Sequence, residues 1–429
     1  MRPGRRHRAT LALWLTVFGV MAALLCVPGP AAADGKAPLA TRDPFYRYRG
    51  DLGGLAPGTV LKHRAVKITL ALDAPTLIPA TQLLFRTTDQ LGRPSTAVTT
   101  AVPGALGSVL PRIVSWQPAY DTLGRQCDPS VALAGKPMPI GPDYFGSCDF
   151  QGGLEATLAN TFLAQGATVV IPDYEQTTDS FGVGPLEGRA TLDSLRAVER
   201  FLHYRARTPA VLVGGSGGAI ASEWAAELAP RYAPEINLVG TAIDGVMVDP
   251  EHNLKYINGN ATNSANVIPA VTLSIFKRGF GINISRYLTE LGKRLISADR
   301  DAYINQFAVT PHLRYQQLFK RRRMLHVPRI AAALDELVMG TGGTPRSPIF
   351  MANASGIVNN GYDGDNIMIA SDVKALARRY CRRGVRVLYQ QYDGLNHVES
   401  FAPFLLTAIP YLSARLAGLP ARSNCNRLG

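Results

Sequence analysis

The sequence predicts an α/β fold: a mostly parallel sheet with helices on both faces, interrupted by a helical cap insertion. Three observations carry that expectation. Short β-branched runs such as "ATVVIPD" (Ala167–Asp173) and "AVLVG" (Ala210–Gly214) alternate with longer stretches whose apolar residues recur every three or four positions. The short runs are mostly apolar, as expected of strands covered on both faces. The alternation stops over residues 250–345, where helical patterns continue without a buried strand, and resumes at "SPIFMANA" (Ser347–Ala354).

Taken in order, Arg2, Arg5, Arg6 and Arg8 precede an apolar run from Leu11 to Val27, and Ala31–Ala33 supply small residues before a polar start. Residues 1–33 therefore read as a signal peptide cleaved after Ala33; retained, the same run would be an anchor of borderline length. Residues 34–80, rich in proline and glycine, read as an arm wrapping the domain. "TQLLFRTT" (Thr81–Thr88) and "STAVTTAV" (Ser95–Val102) flank the turn-forming "DQLGRP" and read as paired edge strands. A strand over Arg112–Pro118, a helix over Gly152–Gly166 and the strand Ala167–Asp173 follow. Next come a helix over Glu187–Tyr204, the strand Ala210–Gly214, a glycine turn, a helix over Ala219–Pro230 and a strand over Ile236–Asp244.

Residues 34–249 thus make the first part of the core. Residues 250–345 are a helical insertion with patterns such as "ISRYLTELGKRLIS" and "AAALDELVMG". Residues 346–429 complete the core with a helix over Ser371–Gly384 and a strand over Val385–Asp393. An insertion between two such strands is expected at the sheet's carboxyl edge, where ligands bind in open α/β folds. Its apolar run Val267–Phe276 would then offer a bound chain a dry surface.

The formal charge of +13 falls to +9 once the four arginines of residues 1–33 are removed. Such a balance favours anionic surfaces but says nothing about catalysis. The sharpest basic cluster, Lys320–Arg323, reads as a solvated helix face, with a dedicated lipid or polyanion contact as the alternative, and no nucleic-acid module surrounds it. Cys26 leaves with the signal, and Cys127, Cys148, Cys381 and Cys425 remain. An even count in an exported chain points to two disulfides, with three pairings open; short loops favour Cys127–Cys148 and Cys381–Cys425. None of the four has metal-ligand spacing, and no cofactor motif is present.

Chemistry concentrates at "GGSGG" (Gly214–Gly218). It fits G-x-S-x-G between a strand and a helix, a turn that lifts Ser216 clear of the sheet and brings the Gly217 N–H beside it. A dinucleotide-binding loop would instead want G-x-G-x-x-G early in the chain, with an acid about 20 residues on. A serine hydroxyl needs a base. Of His63, His203, His252, His312, His326 and His397, only His397 follows the last strand, in "YDGLNHVESF". The acid should follow Ser347–Ala354. Asp363 and Asp365 both fit by order, Asp372 falls in the next helix, and Asp244 and Asp249 are outside candidates.

Together these features resemble the secretory lipases related to yeast lipase A, which are α/β-hydrolases. "DPFY" (Asp43–Tyr46), "LAPGTVL" (Leu55–Leu61), the long stretch from Ser216 to Gly245 and "GLNHVES" are similar to that family's segments. "DNIMIASDVKALARRYC" resembles its acid segment, which implies Asp365 as the acid. The resemblance further implies a C-terminal disulfide, Cys381–Cys425, and an oxyanion hole shared by the N–H groups of Asp121 and Gly217. The implied activity is hydrolysis of carboxylic esters, acylglycerols among them, by Ser216, His397 and Asp365. The implied partners are an ester substrate and a lipid–water interface, with no obligate protein partner and no nucleic acid. An acyltransferase or serine carboxypeptidase on the same fold, or a non-catalytic surface binding protein, are the alternatives.

Overall fold

The computed structural model describes residues 43–69, 75–104, 111–134, 148–205, 207–260, 262 and 264–428. The expected signal segment, residues 1–33, lies outside them. Strands β1 (Val60–Thr69), β2 (Pro75–Thr88) and β3 (Pro94–Val102) form an antiparallel ribbon. The last of these pairs antiparallel with a strand over Thr168–Pro172, which opens the parallel part of the sheet. That part comprises β4 (Ile113–Gln117), β5 (Thr168–Pro172), β6 (Ala210–Gly215), β7 (Leu238–Asp244), β8 (Ile349–Ser355) and β11 (Val387–Asp393), in a nine-stranded order β1-β2-β3-β5-β4-β6-β7-β8-β11. β9 (Ile357–Asn359) and β10 (Tyr362–Gly364) make a separate small ribbon.

β4 has β5 on one side and β6 on the other, so the winding reverses there. A crevice opens beyond the carboxyl ends of strands at such a point. Ser216 comes directly after β6, on that edge.

Among the described residues the α-helices of eight residues or more are α1 (Cys148–Ala164), α2 (Gly184–Phe201), α3 (Gly217–Tyr232), α4 (Pro250–Ile257), α5 (Glu290–Asp299), α6 (Pro328–Asp335), α7 (Ala370–Arg382) and α8 (Phe401–Leu416). One face of the sheet is covered by α1 and α8, whose Phe162, Phe404 and Leu412 pack on Val169, Val211 and Phe350. The other is covered by α2, α3 and α7, with Leu195 and Ala225 against Leu212 and with Val373 and Tyr380 near Met351. Fully burying such an apolar side chain contributes roughly 1.5–3 kcal/mol. Tyr380 Oη donates to Glu227 Oε1 at 2.7 Å and also meets Glu223, tying α7 to α3.

The hairpin forms in the expected place, with Thr88 opposite Pro94 and Thr81 opposite Ala101. The expectation of a wrapping arm over residues 34–80 is corrected: Val60–Thr69 is the edge strand β1, and β2 begins at Pro75. Lys62, Arg64 and Lys67 gave that stretch a polar look, and charge is how an outermost strand resists pairing with another sheet. A helix over Phe401–Leu416 also closes the fold after the last strand. Both disulfides pair as the short loops favoured, Cys127–Cys148 with Cα atoms 5.3 Å apart and Cys381–Cys425 with 5.5 Å.

Residues 250–345 hold α4–α6 and shorter turns; among the described residues of this span there are isolated bridges but no strand. "ISRYLTELGKRLIS" is not one helix. It breaks at Thr289, whose hydroxyl accepts from Gly292 N at 3.1 Å and starts α5. Val267–Phe276 runs from a short α-helix into π-helical turns, and Ile268, Ile275 and Phe276 are buried in the insertion's own core. That core takes in Leu123, Phe181, Val183 and Ile369 from loops beyond β4, β5 and β10. Leu123 N donates to Ala302 O at 2.9 Å, and Arg278 Nη1 donates to the carbonyls of Leu123 and Asp179 at 2.9 and 2.8 Å.

Candidate active site

Ser216 has φ 53° and ψ −121°, a conformation that costs a non-glycine residue of order 1–3 kcal/mol and persists only where neighbours enforce it. Its N–H donates to Asp244 O at 2.9 Å, and its C=O accepts from Ala219 N at 3.0 Å. The glycines around it answer to close approach. A Cβ at Gly214 would strike the backbone of Gly218, and one at Gly218 would strike the carbonyl of Gln117, so β6, α3 and β4 could not close. A Cβ at Gly217 would collide with the carboxyl of Asp121.

His397 lies in the loop after β11. Its Nε2 is 2.8 Å from Ser216 Oγ, and its Nδ1 is 2.8 Å from Asp365 Oδ2. With the proton on Nδ1 donated to the carboxylate, Nε2 is left to accept from the serine hydroxyl. The His397 N–H also donates to Asp365 O at 2.8 Å. Asp365 is fully buried directly after β10, and its Oδ1 accepts from Ile367 N at 2.9 Å and Met368 N at 2.6 Å. Those amides fix the carboxyl so that Oδ2 faces the imidazole.

The structure thus brings together Ser216, His397, Asp365, Gly217 and Asp121. Asp363 instead sits in β10 opposite Val358, half-buried. Asp372, in the first turn of α7, lies 3.2 Å from His252 Nδ1. Asp249 caps α4, accepting from Glu251 N and His252 N at 2.9 and 3.1 Å. Asp249 and Asp372 therefore both face His252. Among the other histidines, His63 lies 5.1 Å from the Phe201 ring, and His203, His312 and His326 are exposed.

Sequence order missed one tie. Ser400 Oγ donates to Asp244 Oδ2 at 2.8 Å and reaches His397 O at 3.1 Å. Asp244 therefore holds the Ser216 turn by its carbonyl and the His397 loop by its carboxyl. A serine three residues beyond the histidine, at the mouth of α8, was the available signal.

Burial acts on Asp121 and Asp244. It pushes Asp121 up to about 6 against the opposing pull of His397, and Asp244 up to about 7 against the Ser400 hydrogen bond and the His397 charge. For His397, burial works to lower the value. The charge and hydrogen bond of Asp365, with Asp244 and Asp121, outweigh it and hold the imidazole above its ordinary 6.5.

Burial likewise lifts Asp173 to about 7 and Asp299 to about 6, and raises Glu223, where the charge of Glu227 adds to it. Each of these carboxyls holds its proton in the folded chain at a pH where the unfolded chain has released it. The stabilisation is whole below the unfolded value of about 4 and is lost as pH rises through the folded value. For a carboxyl moved from 3.8 to about 6, as Asp121 is, this amounts to ~3 kcal/mol. The expected outcome is a melting temperature that declines from about pH 4 to about pH 7, followed by scanning calorimetry. A melting temperature that rises over that window would contradict these assignments.

A family model described as "Secretory lipase" matches residues 147–424. The chain is 30% identical over 410 residues to lipase A of Arthroderma benhamiae, covering 92% of this chain and 83% of that one. It is 28% identical over 391 residues to a Mycobacterium tuberculosis protein described as a probable inactive lipase, covering 89% of this chain and 83% of that one. Its fold is similar to the X-ray structure of Candida antarctica lipase A, with TM-score 0.78 and 24% identity over 90% of this chain and 88% of that one. The architecture is that of the α/β-hydrolases. With the model matching well over half its length, the chain belongs to the secretory lipase family.

Proposed function

We propose that this chain is a secreted lipase or carboxylesterase in which Ser216, His397 and Asp365 carry out acyl transfer to water. The observation that carries the reading is the unbroken run of contacts from Ser216 Oγ through His397 to Asp365, 2.8 Å at each step. Family membership alone would not decide the matter, since one relative is described as probably inactive. A hydroxyl, a base and an orienting acid at hydrogen-bond distance are what an activated serine requires.

In this mechanism His397 Nε2 takes the Ser216 proton as Oγ attacks the ester carbonyl. Asp365 steadies the imidazolium that forms. The Gly217 N–H, at the positive end of α3, and the Asp121 N–H receive the developing oxyanion. His397 then returns the proton to the leaving alcohol, and water activated by the same imidazole hydrolyses the acyl-enzyme. The family, together with the two disulfides, supports an exported chain. Release after Ala33 and work at a lipid–water interface belong to the same proposal.

Residues 250–345 act as a cap that selects the acyl chain. What supports this is their packing on Leu123 and Ile369, residues of the loops that carry Asp121 and Asp365. A buried methylene contributes about 0.8 kcal/mol, so four extra carbons held by the cap amount to about 3 kcal/mol of selectivity. Initial rates on p-nitrophenyl butyrate and laurate test both parts of the reading. The intact chain should hydrolyse them, and a folded variant with a short linker in place of 250–345 should shift toward butyrate. Absence of hydrolysis across the ester series would remove the activity; an unchanged butyrate-to-laurate ratio in the variant would remove the selector.

A further inference from the structure

The run Lys320–Arg323 is not on a helix face, as its sequence suggested. It follows an isolated bridge between Leu288 and Phe319 and occupies a bend and turn before a short 3-10 helix, Met324–His326. Thr289 N donates to Leu318 O and Lys320 N donates to Tyr287 O, both at 2.8 Å, so this run is pinned beside the segment that opens α5. That second segment brings Arg286, Lys293 and Arg294. Across residues 286–294 and 320–323 there are seven cations and one carboxylate, Glu290.

All seven cations are exposed, while Leu288, Leu318, Phe319 and Met324 beneath them are buried in the insertion's core. The guanidinium of Arg286 lies 4.6 Å from the centre of the Tyr287 ring, and that of Arg321 lies 6.0 Å from it. Lys293 reaches Glu290 at 2.7 Å; among the described residues it alone of the seven has a carboxylate within ion-pairing distance. The pull of Lys293 first, then of Lys320 and Arg294, holds Glu290 below the usual carboxylate range, which places both segments within one field. Arg278 elsewhere in the insertion is instead engaged by main-chain carbonyls.

We infer that this basic face, built on residues 286–294 and 320–323, docks the enzyme on an anionic lipid surface. A cluster of seven cations with a single carboxylate among them favours a partner dense in negative charge, and basic residues at anionic lipid add their attractions with little geometric demand. Tyr287, half-buried between two guanidinium groups, is an amphipathic ring of the kind favoured at lipid headgroup level. The argument for lipid over a soluble polyanion rests on the proposed lipase reading, because the same insertion packs on Leu123 and Ile369 next to the residues proposed to do the chemistry.

The test is co-sedimentation of the mature chain with vesicles of phosphatidylcholine alone and of equal parts phosphatidylcholine and phosphatidylglycerol. Binding should appear with the mixed vesicles, fall with added salt, and weaken roughly tenfold or more in the variant K320E/R321E/R322E/R323E. The melting temperature of that variant should stay close to that of the unaltered chain, which shows that its fold survives. If the charge reversal disturbs folding, the Lys→Gln and Arg→Gln version of the same four positions and the salt titration of the unaltered chain give the answer. Equal binding to neutral and mixed vesicles, or binding to heparin without binding to either vesicle, would overturn the inference. A chain that prefers the mixed vesicles yet hydrolyses no ester would keep this docking surface and lose the proposed activity.

Discussion

Ser216→Ala should reduce kcat by roughly 10⁴- to 10⁶-fold while leaving KM and the melting temperature close to those of the unaltered chain. The size follows from the work of one atom. Oγ supplies the bond to the acyl group and is the hydroxyl that meets His397 Nε2. The fold should survive because Ser216 is held by its backbone, through Asp244 O and Ala219 N, and not by its hydroxyl. Residual turnover would then measure what the oxyanion donors and substrate binding do alone. Initial rates on p-nitrophenyl butyrate, with active protein confirmed by calorimetry, give the comparison. Turnover within tenfold of the unaltered chain would remove Ser216 from the mechanism.

The second large effect is expected at Asp365. Asp365→Asn keeps shape and volume, so the chain should fold. An amide N–H₂ turned toward His397 Nδ1 forces the imidazole proton onto Nε2, which can then no longer accept from Ser216 Oγ. A loss of about 10⁴-fold in kcat is the expected scale for that wrong tautomer. Asp363→Asn, two residues earlier, should retain most activity, since Asp363 sits in β10 and His397 is bonded to Asp365. The comparison of the two asparagine variants reads the assignment directly, and a crippled Asp363→Asn beside an active Asp365→Asn would reverse it.

Much of this architecture was legible in the residues. The parallel strands announced themselves because burial on both faces favours runs rich in β-branched and apolar residues, as in Thr168–Pro172, where all five residues are buried. The nucleophile turn was legible because its glycines answer to backbone contacts that a Cβ would block. His397 was legible by order alone.

Other parts depended on contacts distant in sequence. β1 hid because an edge strand carries charge and shows no buried run. Chain order could not choose between Asp363 and Asp365, since both follow β8; the ribbon of β9 and β10 absorbs one and delivers the other. Ser400 and Asp244 meet across 156 residues, and the serine's place three residues after His397 marks only one end of the pair. The basic run looked helical by its neighbours, while the bridge to Leu288 that bends it comes from 31 residues upstream.

The central claim is that Ser216 is an activated nucleophile. A fluorophosphonate probe tests it most directly, because the probe bonds to a serine only where a base has sharpened it. Labelled, folded chain would be digested and the adduct located by peptide mass spectrometry. The account predicts one adduct per chain, on the peptide containing Ser216, absent in Ser216→Ala and slow to form in Asp365→Asn. A folded chain that takes no label, or one labelled on a different serine, would contradict it.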